Sequence, residues 1–258
     1  MCTLAILYRP SASWPVILGA NRDEMIDRRW QPPARHWPEW PGIVAGLDEQ
    51  AGGSWLGMND DGVVAAILNR QGSLGPADGK RSRGDLVLAA LDNPSAAAAA
   101  DAIQGLDARE YRPFNLVVAD RDTVIWLRNE AGRGTGGVER AVVPEGVSLL
   151  TERELDDRES PRIARYLDRF RAAAAPDPET GDWAAWQALL ANREPSPDQN
   201  PTATMSITTD FGFGTTSSSL IALPRGSDGT RKPVWLFASG RPDLTDYAPV
   251  EALARAAA

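Results

Sequence analysis

The order of strand-like and helix-like segments constrains the fold of this chain more than any other feature. Apolar, β-branched runs predict two antiparallel strands at the start, Thr3–Tyr8 and Val16–Asn21, with further strands after them. Helices are predicted next, at Gly84–Leu91 and Ala96–Leu106, before strand-like runs resume. Blocks of strands with helices gathered between them favour an α+β fold over a regular β-α-β alternation.

Two further segments allow local predictions. Pro161 follows Ser160 at the start of an amphipathic stretch, and the stretch places Ile163, Tyr166, Leu167 and Phe170 on one helical face. The Pro- and Trp-rich segment Gln31–Pro41 is predicted to be an ordered loop, because proline lacks the N–H donor that a central strand needs. With 258 residues and no internal repeat, the chain is expected to form a single domain, residues 1–258.

Composition excludes several function classes. Lys and Arg number 27 against 35 Asp and Glu, and this net charge of −8 argues against a nucleic-acid partner. One Cys and one His exclude a disulfide framework and a zinc cluster, so we predict neither a metal site nor a resident cofactor. A start without a basic leader and the lack of a long apolar run predict a cytoplasmic protein with no membrane span.

Cys2 is the position with the most chemical information. An initiator Met before a small side chain is commonly removed, and its removal would leave Cys2 with a free α-amine. That amine has a pKa of about 7.7–8.0, so the residue would hold both a nucleophile and its proton acceptor. The alternative is that Cys2 is simply a small residue near a chain end.

Polar residues end two of the predicted strands. The tetrad Asn21–Glu24 ends the second strand, where a hairpin returns the chain towards Cys2. Asp23 beside the amine would orient it, and Arg22 would favour the thiolate. Asn69 ends another apolar run, and its amide can donate to an oxyanion. A solvated salt bridge explains the tetrad equally well, and a turn-initiating Asn explains position 69.

Together these residues resemble the NRDE family, also called the transport and Golgi organisation family. The resemblance spans nearly the whole chain and includes, besides the tetrad, Cys2-Thr3, Gly52-Gly53-Ser54-Trp55-Leu56-Gly57, Asn69-Arg70, Phe114-Asn115-Leu116 and Gly212–Ser219. More distantly, the same positions are similar to the amino-terminal-nucleophile (Ntn) amidases that include bile-salt and penicillin V hydrolases.

The distant resemblance implies a four-layer αββα sandwich of two antiparallel sheets. It also implies that Cys2 is the nucleophile, Asp23 the partner of its amine and Asn69 an oxyanion donor. Residues expected to bind or support are Asn21, Arg22, Glu24, Asn115 and Glu152. The chain departs from those amidases at Ala20, where they carry Arg, and at Glu152, where they carry a second oxyanion Asn. A carboxylate accepts hydrogen bonds and donates none unless it is protonated.

Two functions fit these residues. The first is an Ntn-like hydrolase in which Cys2 attacks a linear amide, ester or thioester. The second is a non-catalytic binding or trafficking protein for a hydrophobic small molecule such as haem or acyl-coenzyme A, as the NRDE resemblance implies. Haem would be ligated by Cys2 or His36, and coenzyme A phosphates would be held by Lys80, Arg81 and Arg83. A scaffold that retains Met1 is a third hypothesis.

Overall fold

Two antiparallel sheets organise the chain. The computed structural model describes residues 2–130, 137–197, 200–226 and 231–253. One compact unit contains the segments up to Arg28 and from Pro144 to Pro249, and a second contains Arg29–Val143 and the segment from Val250. Within the four described ranges, no helix is long and apolar enough to cross a membrane. That the whole chain is a single domain stays a prediction.

The strands and helices follow one another in two groups. Along the chain the strands are β1 (Thr3–Tyr8), β2 (Val16–Met25), β3 (Trp30–Ala34), β4 (Ile43–Asp48), β5 (Leu56–Asn59), β6 (Val64–Asn69), β7 (Phe114–Ala119), β8 (Val124–Asn129), β9 (Glu139–Val142), β10 (Gly146–Leu150), β11 (Phe213–Leu223), β12 (Val234–Ala238) and β13 (Ala248–Pro249). The α-helices are α1 (Gly84–Leu91), α2 (Ala96–Gln104), α3 (Pro161–Ala172) and α4 (Ala184–Leu190).

The first unit is built on a sheet with the strand order β10-β1-β2-β11-β12-β13. Helices α3 and α4 pack on this sheet, where Tyr166, Phe170 and Trp186 share one buried cluster with strand residues such as Ala5 and Ile17. The predicted amphipathic helix is confirmed, because its whole apolar stripe is buried in this cluster. The unit therefore depends on alternate residues of each strand facing the helices.

The second unit is built on a sheet with the order β3-β4-β5-β6-β7-β8-β9, and α1 and α2 pack against it. The prediction of a loop at Gln31–Pro41 was wrong for its first part, because Trp30–Ala34 forms β3. This strand lies at the sheet edge, and its register with β4 shifts between Gln31 and Ala34, across the two prolines. An edge strand tolerates proline because one of its sides needs no ladder donors.

The Gly-Gly-Ser-Trp segment positions α1 in the second unit. Gly52 has a positive φ of 74°, which favours glycine. A Cβ atom on Gly53 would lie 2.5 Å from the backbone carbon of Gly84, at the start of α1. Trp55 covers Gly46 so closely that any side chain there would collide with the indole ring. The motif thus has a packing role that its composition does not reveal.

We expect Gly53→Ala to lower the free energy of unfolding by about 1–3 kcal/mol, because the new methyl group meets backbone that cannot move aside. The matched control is Gly42→Ala, whose Cβ would meet its nearest atom, a side-chain oxygen of Asp60, at an ordinary 3.5 Å. Urea denaturation of both variants measures the difference. Equal losses in the two variants would contradict the role assigned to the Gly53–Gly84 approach.

Candidate functional site

Cys2 lies directly before β1 and is partly exposed. Strand β1 pairs antiparallel with β2, with Thr3 opposite Asn21, so the predicted hairpin is confirmed. This register brings the end of β2 beside Cys2. The thiol donates a hydrogen bond to the backbone carbonyl of Asp23, with Sγ 3.7 Å from the oxygen. The contact of Cys2 with Asp23 is therefore made to the backbone of Asp23.

The carboxylate of Asp23 is held by two other side chains. Arg162 of α3 donates from Nη1 to Oδ2 at 2.9 Å, and Thr215 of β11 donates from Oγ1 to Oδ1 at 2.7 Å. Both charged side chains are fully buried, at 0% and 1% exposure for Asp23 and Arg162. Arg162 Nη1 also donates to the hydroxyl of Thr3. A buried pair with such additional hydrogen bonds fixes its partners in one geometry.

Arg162 is the residue that the sequence analysis missed. The one sequence signal for it is its place in the first turn of α3. The positive end of the helix dipole lies there, which disfavours a cation unless an anion is close by. This effect is small, so the position of Arg162 identifies no partner, and nothing in the sequence links it to Asp23.

Asn21 is an internal anchor of the first unit. Its Nδ2 donates to the backbone carbonyls of Leu190, at the end of α4, and Met205, at 2.9 and 3.0 Å. Ser218 donates to its Oδ1 at 2.6 Å and lies 2.6 Å from the hydroxyl of Tyr247. Burial raises the pKa of Tyr247 to about 12. Asn21 therefore supports the strand end through interactions within the protein.

The other two members of the tetrad differ from each other. Arg22 is buried and donates from Nη1 to the hydroxyl of Thr216 at 3.1 Å. Glu24 forms an ion pair with Arg28 at 3.8 Å, where both side chains reach solvent. The alternative of a solvated salt bridge therefore describes Glu24, while Arg22 belongs to the buried network. Their binding roles stay predictions.

The protonation of the Cys2 thiol is set by its surroundings. Burial raises the pKa of the thiol, and the negative charge of Asp23 raises it further. The hydrogen bond to the Asp23 carbonyl and the charge of Arg22 oppose this shift but do not reverse it. The charge of Arg22 therefore favours the thiolate, but burial and the charge of Asp23 have the larger effect on the pKa. The thiol is protonated at neutral pH and needs a base to attack.

Glu152 lies two residues beyond the end of β10 and is 5% exposed. Its Oε2 atom is buried and has no hydrogen-bond partner among the described residues. Its predicted supporting role stays a prediction.

Asn69 and Asn115 belong to the second unit. Asn69 is the last residue of β6 and pairs with Phe114. Asn115 is fully buried, and its Oδ1 accepts hydrogen bonds from Arg70 Nη1 at 2.7 Å and from Trp126 Nε1 at 3.2 Å. Asn115 therefore orients neighbouring side chains of its own sheet. The oxyanion role of Asn69 and the binding role of Asn115 stay predictions.

The residues named for haem or coenzyme A make contacts within the protein. His36 Nε2 lies 2.9 Å from a backbone carbonyl. Lys80 and Arg83 donate to backbone carbonyls at 2.6 and 2.7 Å, and Arg81 pairs with Glu110 at 3.3 Å. In the parts of the chain that the structure describes, no group of three or more His, Cys, Asp or Glu residues could hold a metal ion.

Comparison with known proteins places these residues in a family. A family model described as Transport and Golgi organisation 2 matches residues 1–232. The chain belongs to this family. The transport and Golgi organization protein 2 homolog of Bos taurus is 29% identical over 195 residues, which are 64% of this chain and 68% of that protein. The resemblance to the NRDE family is thereby confirmed.

The match to the human relative covers a shorter region. The transport and Golgi organization protein 2 homolog of Homo sapiens is 32% identical over 132 residues, which are 48% of this chain and 46% of that protein. The mouse homolog matches at 30% identity over 130 residues, also 46% of its length. The matched region therefore spans less than half of the human and mouse relatives.

Solved structures show the same fold in Ntn hydrolases. An N-acylethanolamine-hydrolyzing acid amidase ortholog of Caenorhabditis elegans matches with a TM-score of 0.57 and 13% identity, over 96% of this chain and 100% of that one. Penicillin V acylase of Agrobacterium tumefaciens matches with a TM-score of 0.51 and 15% identity, over 98% and 88%. The predicted fold class, α+β with two antiparallel sheets as in Ntn hydrolases, is confirmed. At these identities the likeness concerns the fold alone.

The buried ion pair gives the first prediction for this site. We expect Arg162→Met to lower the free energy of unfolding by about 3–5 kcal/mol, because the Asp23 carboxylate stays buried without its cation. The double variant Asp23→Asn/Arg162→Met should lose clearly less than the sum of the single losses. Urea denaturation of the wild type, the two single variants and the double variant measures this coupling.

The matched control for the ion pair is Arg158→Met. Arg158 pairs with Asp168 at the surface, where the side chains are 51% and 67% exposed. Removing such a pair costs about 0–1 kcal/mol. Additive losses at Asp23 and Arg162, or a loss at Arg158 as large as that at Arg162, would show that the buried pair does not hold this site.

The raised pKa of the thiol gives a second prediction. We expect the rate at which iodoacetamide alkylates Cys2 to rise with pH. The pH at the midpoint of this rise should be higher in the folded protein than in the same chain unfolded in urea. Unfolding removes the burial and the neighbouring charge of Asp23, and a free cysteine ionises at a pKa of about 8.5. The chain has one Cys, so the adduct reports this residue alone. A lower midpoint pH in the folded protein than in urea would contradict the conclusion that the thiol pKa is raised.

Proposed function

We propose that this chain is an Ntn-type hydrolase whose N-terminal nucleophile, Cys2, cleaves a linear amide, ester or thioester of an apolar acyl group. The observation that carries the proposal is the position of the thiol. Cys2 is a partly exposed residue directly before β1, and its thiol donates to the backbone carbonyl of Asp23, whose carboxylate belongs to a buried ion pair. The buried ion pair of Asp23 and Arg162 is thus connected to the thiol through the backbone of Asp23.

The proposal needs the removal of Met1. Removal converts the amide nitrogen of Cys2 into an α-amine with a pKa of about 7.7–8.0, which is suited to accept a proton near neutral pH. Because the thiol is protonated at that pH, the nucleophile requires such a base. The chain has one His, and the amine replaces the histidine of a Cys-His pair.

The reaction has two halves. The Sγ atom of Cys2 forms a bond to the carbonyl carbon while the thiol proton moves to the α-amine. The tetrahedral intermediate then breaks its bond to the leaving group, which takes the proton from the ammonium, and an acyl thioester remains. Water attacks the thioester and gives one proton to the amine. The C–S bond then breaks, the acid is released, and the ammonium returns the proton to the sulfur of Cys2. The family resemblance assigns the stabilisation of the oxyanion to Asn69.

Exposed apolar side chains support an apolar substrate. Met25 and Ile26 follow Asp23 at the end of β2, and Phe211 precedes β11, which pairs with β2 there. Phe211 is 72% exposed and stacks on Phe213. Large apolar groups exposed together at one strand end are suited to contact an acyl chain. A reducing cytoplasmic location, which would keep the thiol free, is part of the same proposal.

We expect Cys2→Ala to reduce turnover by at least about a thousandfold, because the attacking sulfur is missing. The probes are three hexanoyl compounds, namely the anilide, the phenyl ester and the phenyl thioester, and the release of hexanoic acid is measured. Intact mass of the wild-type chain should show that Met1 is absent. Unchanged urea denaturation of the variant shows that the fold is intact.

The matched control keeps the sulfur and blocks the amine. A chain with a Gly-Ser extension before Cys2 should lose turnover to a similar degree, while iodoacetamide still modifies its thiol. Turnover retained in Cys2→Ala would exclude Cys2 as the nucleophile, and turnover retained in the extended chain would exclude the amine as the base. If the wild-type chain binds the probes but hydrolyses none, the non-catalytic carrier is favoured instead.

A further inference from the structure

Glu152 is a buried acidic side chain with one carboxylate oxygen that the described residues do not bind. It is 5% exposed, and its Oε2 atom has no hydrogen-bond partner among the described residues. Of the two arginines near it in sequence, Arg153 pairs with Glu159 at 2.7 Å and Arg162 pairs with Asp23 at 2.9 Å. A buried acceptor without a donor is unfavourable in a folded protein, which indicates that a ligand supplies the donor.

The strand register places Glu152 at the end of the sheet where Cys2 lies. Strands β1 and β10 are antiparallel, and their pairing ends with Leu4 opposite Leu150. Two residues before Leu4 comes Cys2, and two residues after Leu150 comes Glu152. The hydroxyl of Thr151, the residue between Leu150 and Glu152, donates to Ser160 at 3.0 Å. Continuing the strand register by two residues sets Glu152 opposite Cys2.

The chemistry of a carboxylate limits what it can do there. It accepts hydrogen bonds, so it does not stabilise an oxyanion, but it can bind an N–H group. We propose that Glu152 is a specificity-determining residue that accepts a hydrogen bond from an N–H group next to the scissile carbonyl of the substrate. The site then selects amides over esters and thioesters, whose linking oxygen or sulfur carries no proton. This inference rests on the proposed function and narrows its substrate class.

The donor is the N–H of the scissile amide, which is neutral. The substitution Glu152→Gln keeps an acceptor oxygen and loses the negative charge, so it tests whether acceptance alone is enough. Glu152→Met removes the acceptor and keeps a side chain of similar length.

The test measures binding in the Cys2→Ala background, so that it does not depend on turnover. Hexanoyl anilide and phenyl hexanoate differ only in N–H against O, and we expect the anilide to bind at least about tenfold more tightly. Adding Glu152→Met should reduce this ratio to near one. Adding Glu152→Gln should preserve the ratio, because the glutamine keeps an oxygen that accepts from the amide N–H.

Several results would overturn the assignment. These are an anilide-to-ester ratio that is unchanged by Glu152→Met, absence of anilide binding to the Cys2→Ala chain, or a lower thermal midpoint of Glu152→Met, which would mark a structural role. We expect that midpoint to stay constant or rise, because the substitution removes a buried acceptor without a donor. Failure of the proposed function has a different signature, namely no turnover of any probe by the wild-type chain while the binding ratio still depends on Glu152.

Discussion

The buried ion pair between Asp23 and Arg162 is the interaction on which the site depends. Taking two charges out of water is costly, and additional hydrogen bonds to the charged groups offset part of this cost. Thr215 and Thr3 supply such contacts, and with them β1, β2, β11 and α3 meet at one point. The start of β1, which carries Cys2, is held in place by this arrangement.

The same arrangement explains why the tetrad is more than a surface motif. Asn21 binds the backbone at the end of α4, Arg22 binds the neighbouring strand, and Asp23 binds α3. Three of its side chains therefore connect β2 to different parts of the first unit, while Glu24 stays at the surface. A charged and buried framework therefore lies next to Cys2, the residue proposed to react.

Much of the fold was predictable because its signals are local. The hairpin of β1 and β2 and the apolar stripe of α3 follow from side-chain periodicity within a few residues. The error at β3 has a physical reason, since the position of a strand within a sheet decides whether proline is tolerated, and that position is not a local property. The close approach of Gly53 to Gly84 was likewise invisible, because the two residues meet only after the second unit has folded.

The sequence by itself determined that Cys2 stands before an antiparallel hairpin that ends in a polar tetrad, and that the chain resembles a known family. The tertiary structure decided which charges meet. Arg162 stands 139 residues after Asp23, and no pattern of neighbouring residues links the two. It also decided that Glu152 is buried without a donor, although its side chain is one that usually lies in water. Periodicity is encoded in neighbouring residues, whereas the partner of a buried charge depends on how distant elements pack.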